Sequence, residues 1–411
     1  MNMENQSVRM RRVLVVDDVV PEEALGAGYP RLLETIAQIQ SVPSVEVAFF
    51  PTLDHRHATN DLGAIRPWSG SVPLEIIADD LDQHLGQMVS QDRRYDIVVI
   101  SRPHNYEYVI EMVHRHLPGV PIIYDAEALF YRRLERQIVF SSEMERPRIE
   151  VATKKMRELE ARIAAEVDEL VFVSDEEADL LRPFARGNLS VNSPLLKSMR
   201  WTDTGFAERE GVVFVASWSS GIKSPNVDGM QWFAREVWPR VLARLDSARL
   251  RVTGARPPAE VLRFSCESIS FLGRVEDLGS IYGSARVVVV PNRYGAGVKN
   301  KTIEALQSGV PTVSTQVGAE GVPVRGAISD AEGDNFGFPP FLSVTDDATR
   351  FAERIVSLLC DGSLWQRERE LLKIQCEEFD RVREHQVWSE IIHRLLVDAP
   401  ADATLGDLHH G

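Results

Sequence analysis

Apolar residues along this chain fall into short unbroken runs separated by longer amphipathic stretches. In the first half, residues 12–17, 45–50, 96–101, 121–124 and 169–174 read as strands buried on both faces. Helical periodicity over 29–40 and the charged stretch 143–166 predicts helices between them. The second half restarts the alternation with strands predicted at 212–216, 249–253, 268–272, 286–290 and 311–314. Ser224-Pro225 supplies a cap and a first-turn proline for a helix over 226–245, and 347–359 and 379–397 are also helical. Residues 192–210 break the pattern with Asn-Ser-Pro and a polar run, which marks a linker. The alternation predicts an α/β protein of two tandem Rossmann-like, doubly wound domains, residues 1–200 and 205–378. A terminal helix (379–397) and a frayed tail (398–411) follow. Open parallel sheets bind ligands beyond the carboxyl ends of their strands, so an interdomain cleft is the expected site.

One segment carries candidate chemistry. Val287 to Val290 reads as a strand ending at Pro291, followed by a loop with Gly295, Ala296 and Gly297. A helix then runs to Gly309, placed where a C′ glycine belongs. Strand, glycine loop and helix N-terminus make an anion site, because glycine permits close approach and unpaired N–H groups favour phosphate. Helical geometry puts Val298, Thr302, Ala305 and Leu306 on a core face and Asn300, Lys301 and Glu304 on the opposite one. A lysine suits a diphosphate, and a carboxylate can accept from two ribose hydroxyls. The plainer alternative is a solvated ion pair worth about 0.2–0.5 kcal/mol. The loop is not a P-loop, since no G-x-x-x-x-G-K-[ST] occurs.

Composition narrows the class. A chain of 411 residues exceeds the size of most single cores, and 44% hydrophobic with 26% charged residues is ordinary for a soluble globular protein. A net charge of −15 argues against nucleic acid or anionic lipid as a partner of the molecule as a whole. After Arg9, Arg11 and Arg12 the apolar run is only Val13 to Val16, too short for a signal-peptide core. No apolar stretch approaches transmembrane length. Cys266, Cys360 and Cys376 lack paired spacing, so neither a disulfide framework nor a zinc site is indicated and a reducing cytoplasm is expected.

The segments Phe214-Val215-Ala216-Ser217-Trp218, Ser224-Pro225-Asn226-Val227-Asp228 and Val237-Trp238-Pro239 resemble the opening of the C-terminal domain in family-4 retaining glycosyltransferases. Phe271-Leu272-Gly273-Arg274-Val275, the Gly295 to Ala305 loop and helix, and Gly309-Val310-Pro311 through Gly318-Ala319-Glu320-Gly321 resemble the same family in the same order. The first half is similar more loosely, through Val13 to Asp18, Gly26-Ala27-Gly28-Tyr29-Pro30 and Tyr124-Asp125-Ala126-Glu127. The resemblance implies a GT-B fold, a nucleotide-sugar donor held mainly by the second domain, an acceptor held by the first, and a C-terminal helix crossing back to the first domain. It implies that Glu304 takes the ribose-binding position and that Lys223 and Lys301 supply positive charge to the diphosphate. Gly28, Ser217, Arg274, Gly295, Ala296, Gly297, Lys299 and Asn300 are the remaining donor-side candidates. His104 is a candidate sugar contact, and Arg31, Asp125 and Glu127 are acceptor-side candidates, with plain loop and capping roles as the alternatives.

Two departures stand out. Ala296 occupies the place of the family's first glutamate, and the arginine usual before the lysine is missing where Ser217 and Trp218 stand. Asp80-Leu81-Asp82 has the D-x-D form of a metal–diphosphate site but lies in 75–89, an amphipathic helical stretch, so a solvated helix face is the better reading and no metal or other cofactor is expected. The function implied is metal-independent, retaining transfer of a hexose from a nucleoside-diphosphate sugar to a glycan or lipid-linked acceptor, in surface polysaccharide or glycoconjugate biosynthesis. Peripheral attachment at the inner face of a membrane follows if the acceptor is a lipid, although no strongly basic amphipathic segment demands it. The patterns do not specify base, sugar, acceptor or oligomeric state. The alternatives are a glycosyltransferase-fold scaffold without turnover and a nucleotide-sugar epimerase. Val13 to Asp18 also resembles a receiver-domain start, but the matching strand ends in Ser101 where a phosphoacceptor aspartate is needed.

Overall fold

The computed structural model describes residues 9–22, 28–54, 68, 73–195, 200–218, 221–322, 339–384 and 386–398. Gly26 and Ala27 and the tail beyond residue 398 lie outside the described residues. The first half contributes β1 (Arg11–Asp17), β2 (Val45–Pro51), β3 (Glu75–Ile76), β4 (Ile97–Ser101), β5 (Ile122–Asp125), β6 (Glu169–Phe172) and β7 (Asn188–Val191). They form one parallel sheet in the order β3-β2-β1-β4-β5-β6-β7. The second half contributes β8 (Glu210–Phe214), β9 (Leu250–Thr253), β10 (Ile269–Gly273), β11 (Ala285–Val290), β12 (Thr312–Ser314) and β13 (Leu342–Val344). These form a second parallel sheet ordered β10-β9-β8-β11-β12-β13.

Both sheets reverse direction of winding once, between β1 and β4 and between β8 and β11. Each reversal opens a crevice at the carboxyl ends of the strands, which is where ligands of such sheets sit. The strands are apolar on both faces because helices cover both. Leu14, Val16, Val98 and Ile100 pack to one side of the first sheet, and Val13, Val15, Ile97 and Val99 to the other.

Several sequence expectations are corrected. Residues 75–89 are not one helix: Glu75–Ile76 is an edge strand on β2, and the helix is Leu81–Ser90. Asp80 starts it by accepting from Gln83 N at 3.2 Å. The helix expected over 226–245 runs from Pro225 to Leu242 with a π turn at Phe233–Val237. Pro239 explains the turn, since it lacks an N–H and crowds the carbonyl four residues earlier. Strands β7 and β13 are too short to show as apolar runs.

The segment 379–397 is likewise two helices, Gly362–Glu384 and Val387–Asp398. The first buries Trp365, Leu372 and Phe379 in the second domain. The second crosses to the first domain, where Trp388, Ile391 and Ile392 pack with Val13, Leu32 and Ile36. Arg394 also reaches the buried carboxylate of Glu169 at 2.7 Å. Trp388 is completely buried, so Trp388→Ala is expected to destabilise the first domain by about 3–5 kcal/mol. Urea unfolding followed by circular dichroism checks this; a midpoint like that of the unsubstituted protein contradicts the docking.

Candidate active site

The second domain's share of the site begins at β11. Pro291 ends that strand, and the loop behind it turns through Gly295 (φ +143°) and Gly297 (φ +68°), conformations that a side chain disfavours. The helix Asn300–Gln307 follows, with Gly309 at φ +72° closing its carboxyl end as expected. The polar face is not freely solvated: Glu304 is buried and Asn300 and Lys301 are half-buried. Glu304 accepts from the buried Tyr282 hydroxyl at 2.7 Å, and burial raises its pKa against the pull of Tyr282 and Lys301. Lys301 is half-buried; its ammonium donates to Asn226 Oδ1 at 2.6 Å and to Asn292 Oδ1 at 3.2 Å, and lies 4.8 Å from the centre of the Phe214 ring. Loss of water, with Lys299 nearby and Glu304 opposing, brings its pKa down to about 7.

Lys299 folds back on the loop, donating to Gly297 O at 2.6 Å, with Glu320 Oε2 at 3.8 Å. Burial lowers its pKa to about 8, although Glu320 and Glu177 favour the charged form. Asn300 opens the helix, Ser217 O accepts from Asn226 at 2.7 Å just past β8, and Arg274 stands exposed after the edge strand β10. The Lys223 ammonium reaches across the cleft to Glu145 of the first domain, while its carbonyl accepts from the Tyr294 hydroxyl at 2.5 Å. The Lys223 ammonium is therefore paired with a carboxylate of the opposite domain, whereas that of Lys301 is held by two asparagines.

Facing this loop, the strand ends of the first domain hold a compact ionic cluster. Arg102, at φ +73° after β4, meets Asp17 at 2.7 Å, Asp18 at 3.1 Å and Glu127 at 3.0 Å. Glu127 is itself at φ +47°, and its carboxylate lies directly against Gly28, so a side chain there would displace that carboxylate. Two left-handed non-glycine residues flanking one crevice mark locally strained backbone. Burial pushes Asp17 up to about 8 against Arg102. Asp18 is held low despite its own burial, by His104 and Arg102. His104 is not on a loop: Pro103 starts the helix Pro103–His116, and His104 Nε2 sits 2.6 Å from Asp18 Oδ1 in its first turn. Arg31 and Asp125 make a bidentate pair at 2.7 Å, both buried, so they bind one another and brace the crevice floor.

The two halves touch at the glycine loop. Glu177, fully buried on the helix Asp175–Leu181, accepts from Gly297 N at 2.8 Å and Leu129 N at 3.3 Å. A side chain on Gly297 would stand 2.8 Å from Ala128 Cβ and 2.9 Å from Glu127 O. Arg136 donates to Gly295 O at 2.8 Å and pairs with Glu320 at 2.6 Å. The Gly297 amide, expected to face a phosphate, is therefore occupied by a carboxylate. Sequence reading missed Arg102, Arg136 and Glu177; only Arg102, beside Pro103 at a strand end, carried a local signal. The D-x-D pair is structural, since Asp80 caps a helix and Asp82 pairs with Arg115 at 2.8 Å and His116 at 2.9 Å.

Residues 210–361 match the family described as Glycosyl transferases group 1. That match lies within the second domain. Among solved structures, the Anabaena protein HepE in complex with UDP and glucose aligns with a TM-score of 0.61 at 13% identity, over 94% of this chain and 99% of that one. Sucrose-phosphate synthase from Thermosynechococcus elongatus aligns at 0.57 and 16% identity, over 94% and 98%. A UDP-forming trehalose-phosphate synthase from Burkholderia xenovorans aligns at 0.57 and 11%, over 94% and 100%. No curated protein matches the chain by sequence. The alignments establish the GT-B fold over nearly the whole chain.

Two predictions separate function from structure here. Glu304→Ala removes the acceptor of a buried hydroxyl and should destabilise the protein by about 1–3 kcal/mol. Glu304→Gln keeps that bond and should fold normally while binding nucleotide more weakly; equal nucleotide affinity in Glu304→Gln contradicts a ligand role. The depressed lysines give a second test. An anion favours their charged forms, so ligand binding near pH 8 takes up protons and weakens as pH rises from about 7 to about 9, through the values set by Lys301 and Lys299. Calorimetry in buffers of different ionisation enthalpy measures the uptake, and none at pH 8 contradicts it.

Proposed function

We propose that this protein transfers a hexose from a nucleoside-diphosphate sugar to a glycan or lipid-linked acceptor, with retention and without a metal. One observation carries the reading: Lys299, Lys301 and Glu304 follow a glycine loop at the winding reversal of the second sheet, and that loop touches Glu177, Ala128 and Glu127 of the first domain. Lysines and helix amides stabilise the charge that develops on a departing diphosphate without reorganising, and one such donor is worth about 3–4 kcal/mol in other enzymes. Glu304 Oε2 is taken by Tyr282; the other oxygen suits a ribose diol.

The acceptor enters from the first domain, beside Glu127 and the Asp18–His104 pair. His104 contacts the sugar, and Asp18 sets its orientation. In the retaining route the departing phosphate oxygen takes the acceptor proton, so no protein nucleophile is required. Among the described residues, no group of three or more His, Cys, Asp or Glu is arranged to hold a metal; the lysines and helix amides take that electrostatic role in this proposal. The similar HepE was solved with UDP and with UDP-glucose, which makes UDP the first nucleotide to try.

Isothermal titration with UDP, GDP, ADP, dTDP and CMP, with and without EDTA, tests the proposal. One diphosphate should bind, EDTA should have no effect, and Lys301→Ala should weaken binding by about 10- to 100-fold, as for a lost charge-assisted bond. Loss of binding in EDTA contradicts the metal-free reading. Binding of none leaves the glycosyltransferase-fold scaffold as the correct description.

A further inference from the structure

The segment joining the helices Phe130–Val139 and Arg146–Glu166 exposes apolar side chains that the interior leaves unused. Val139 is 73% exposed and Met144 91%, and Val151 on the following helix is 58% exposed. Isolated exposed apolar residues need no explanation, but these belong to one hairpin. Phe140, also exposed, is fixed in place: its ring stacks on Tyr294 at 5.9 Å, and Arg293 lies 4.5 Å from its centre. The second domain adds Ile222, 56% exposed, next to Lys223, which bridges to Glu145 on the hairpin. Exposed apolar side chains therefore stand on both domains beside the Lys223–Glu145 bridge.

Cations surround it. Residues 130–157 carry eight Lys and Arg against four Glu, in a chain whose net charge is −15. Arg148, Val151 and Lys155 recur at i, i+3 and i+7, so they share one exposed helix face. Lys154 and Arg157 pair with Glu158 and Glu135. Among the described residues Arg146, Arg148 and Lys155 have no carboxylate partner. Unpaired cations beside a protruding apolar tip complement an anionic interface with an apolar interior.

We propose that this hairpin docks the protein on the surface of a bilayer containing anionic lipids, with Val139 and Met144 entering the headgroup–acyl boundary and Arg146, Arg148 and Lys155 lying on the headgroups. Docked this way, the cleft mouth faces the membrane, and a lipid-linked acceptor would enter beside Glu145 and Lys223. That last step rests on the glycosyl-transfer reading of the cleft, whereas the docking itself does not. The bulk charge of −15 gave no sign of it, because the basic stripe is local.

Sedimentation of the full chain with phosphatidylcholine vesicles, with and without phosphatidylglycerol, tests the docking. The protein should pellet with the anionic vesicles and release in high salt. Each basic side chain near such a surface contributes about five-fold to partitioning, so Arg148→Gln with Lys155→Gln should weaken it about 25-fold. Met144→Asp should weaken it as well, while nucleotide titration of both variants stays unchanged. No pelleting with anionic vesicles overturns the proposal, and so does pelleting that the variants leave intact. Concentration-dependent dimerisation in light scattering, abolished by Met144→Asp, would instead assign the patch to a second copy of the chain and overturn it too. Nucleotide binding is measured without vesicles, so failure of docking and failure of the donor site are read separately.

Discussion

The site depends on how closely Gly297 approaches the opposite domain. Its amide meets the buried Glu177 carboxylate at 2.8 Å, and its missing side chain is the space that Ala128 and the Glu127 carbonyl fill. Only glycine fits both the contact and the φ of +68°. Because the loop is pinned there, the helix Asn300–Gln307 is aimed at the cleft, and Lys299, Lys301 and Glu304 are placed by it. Arg136 on Gly295 and on Glu320 braces the same contact from the side. If the proposed donor binds at this loop, its diphosphate exchanges with the Glu177 carboxylate, so that domain closure and donor occupancy compete for one amide.

The two sides of the cleft are electrostatically opposite. The second domain presents lysines that burial holds partly uncharged, ready to gain protons when an anion arrives. The first presents Asp17, Asp18 and Glu127 around the single guanidinium of Arg102. In the proposed reaction this asymmetry directs an anionic donor to one wall and offers carboxylates to acceptor hydroxyls on the other. The helix Val387–Asp398 adds a mechanical link, since it belongs in sequence to the second domain and in packing to the first.

Much of this was legible in the chain. The β11 valine run, the glycine loop and the C′ glycine appear in the structure where the pattern placed them, because a buried parallel strand and a helix terminus each leave a local signature. The two parallel α/β domains were legible for the same reason, and the GT-B fold through the family resemblance of their motifs. The short edges β3, β7 and β13 were not, since their pairing comes from a neighbour and not from their own apolar content. Helical spacing put Lys301 and Glu304 on one face but left open whether that face meets a ligand or solvent; the enclosure by Tyr282 and Phe214 comes from distant segments. Glu177 and Arg136 were invisible because their role exists only once the domains meet, more than a hundred residues apart in sequence.

A crystal structure of the protein with UDP, or with whichever diphosphate titration selects, tests the central claim most directly. The account predicts the diphosphate at the first turn of Asn300–Gln307 within hydrogen-bond reach of Lys299 or Lys301, the ribose on Glu304, and the Glu177 carboxylate displaced from Gly297. A nucleotide bound elsewhere, with the Glu177–Gly297 contact unchanged, would contradict it.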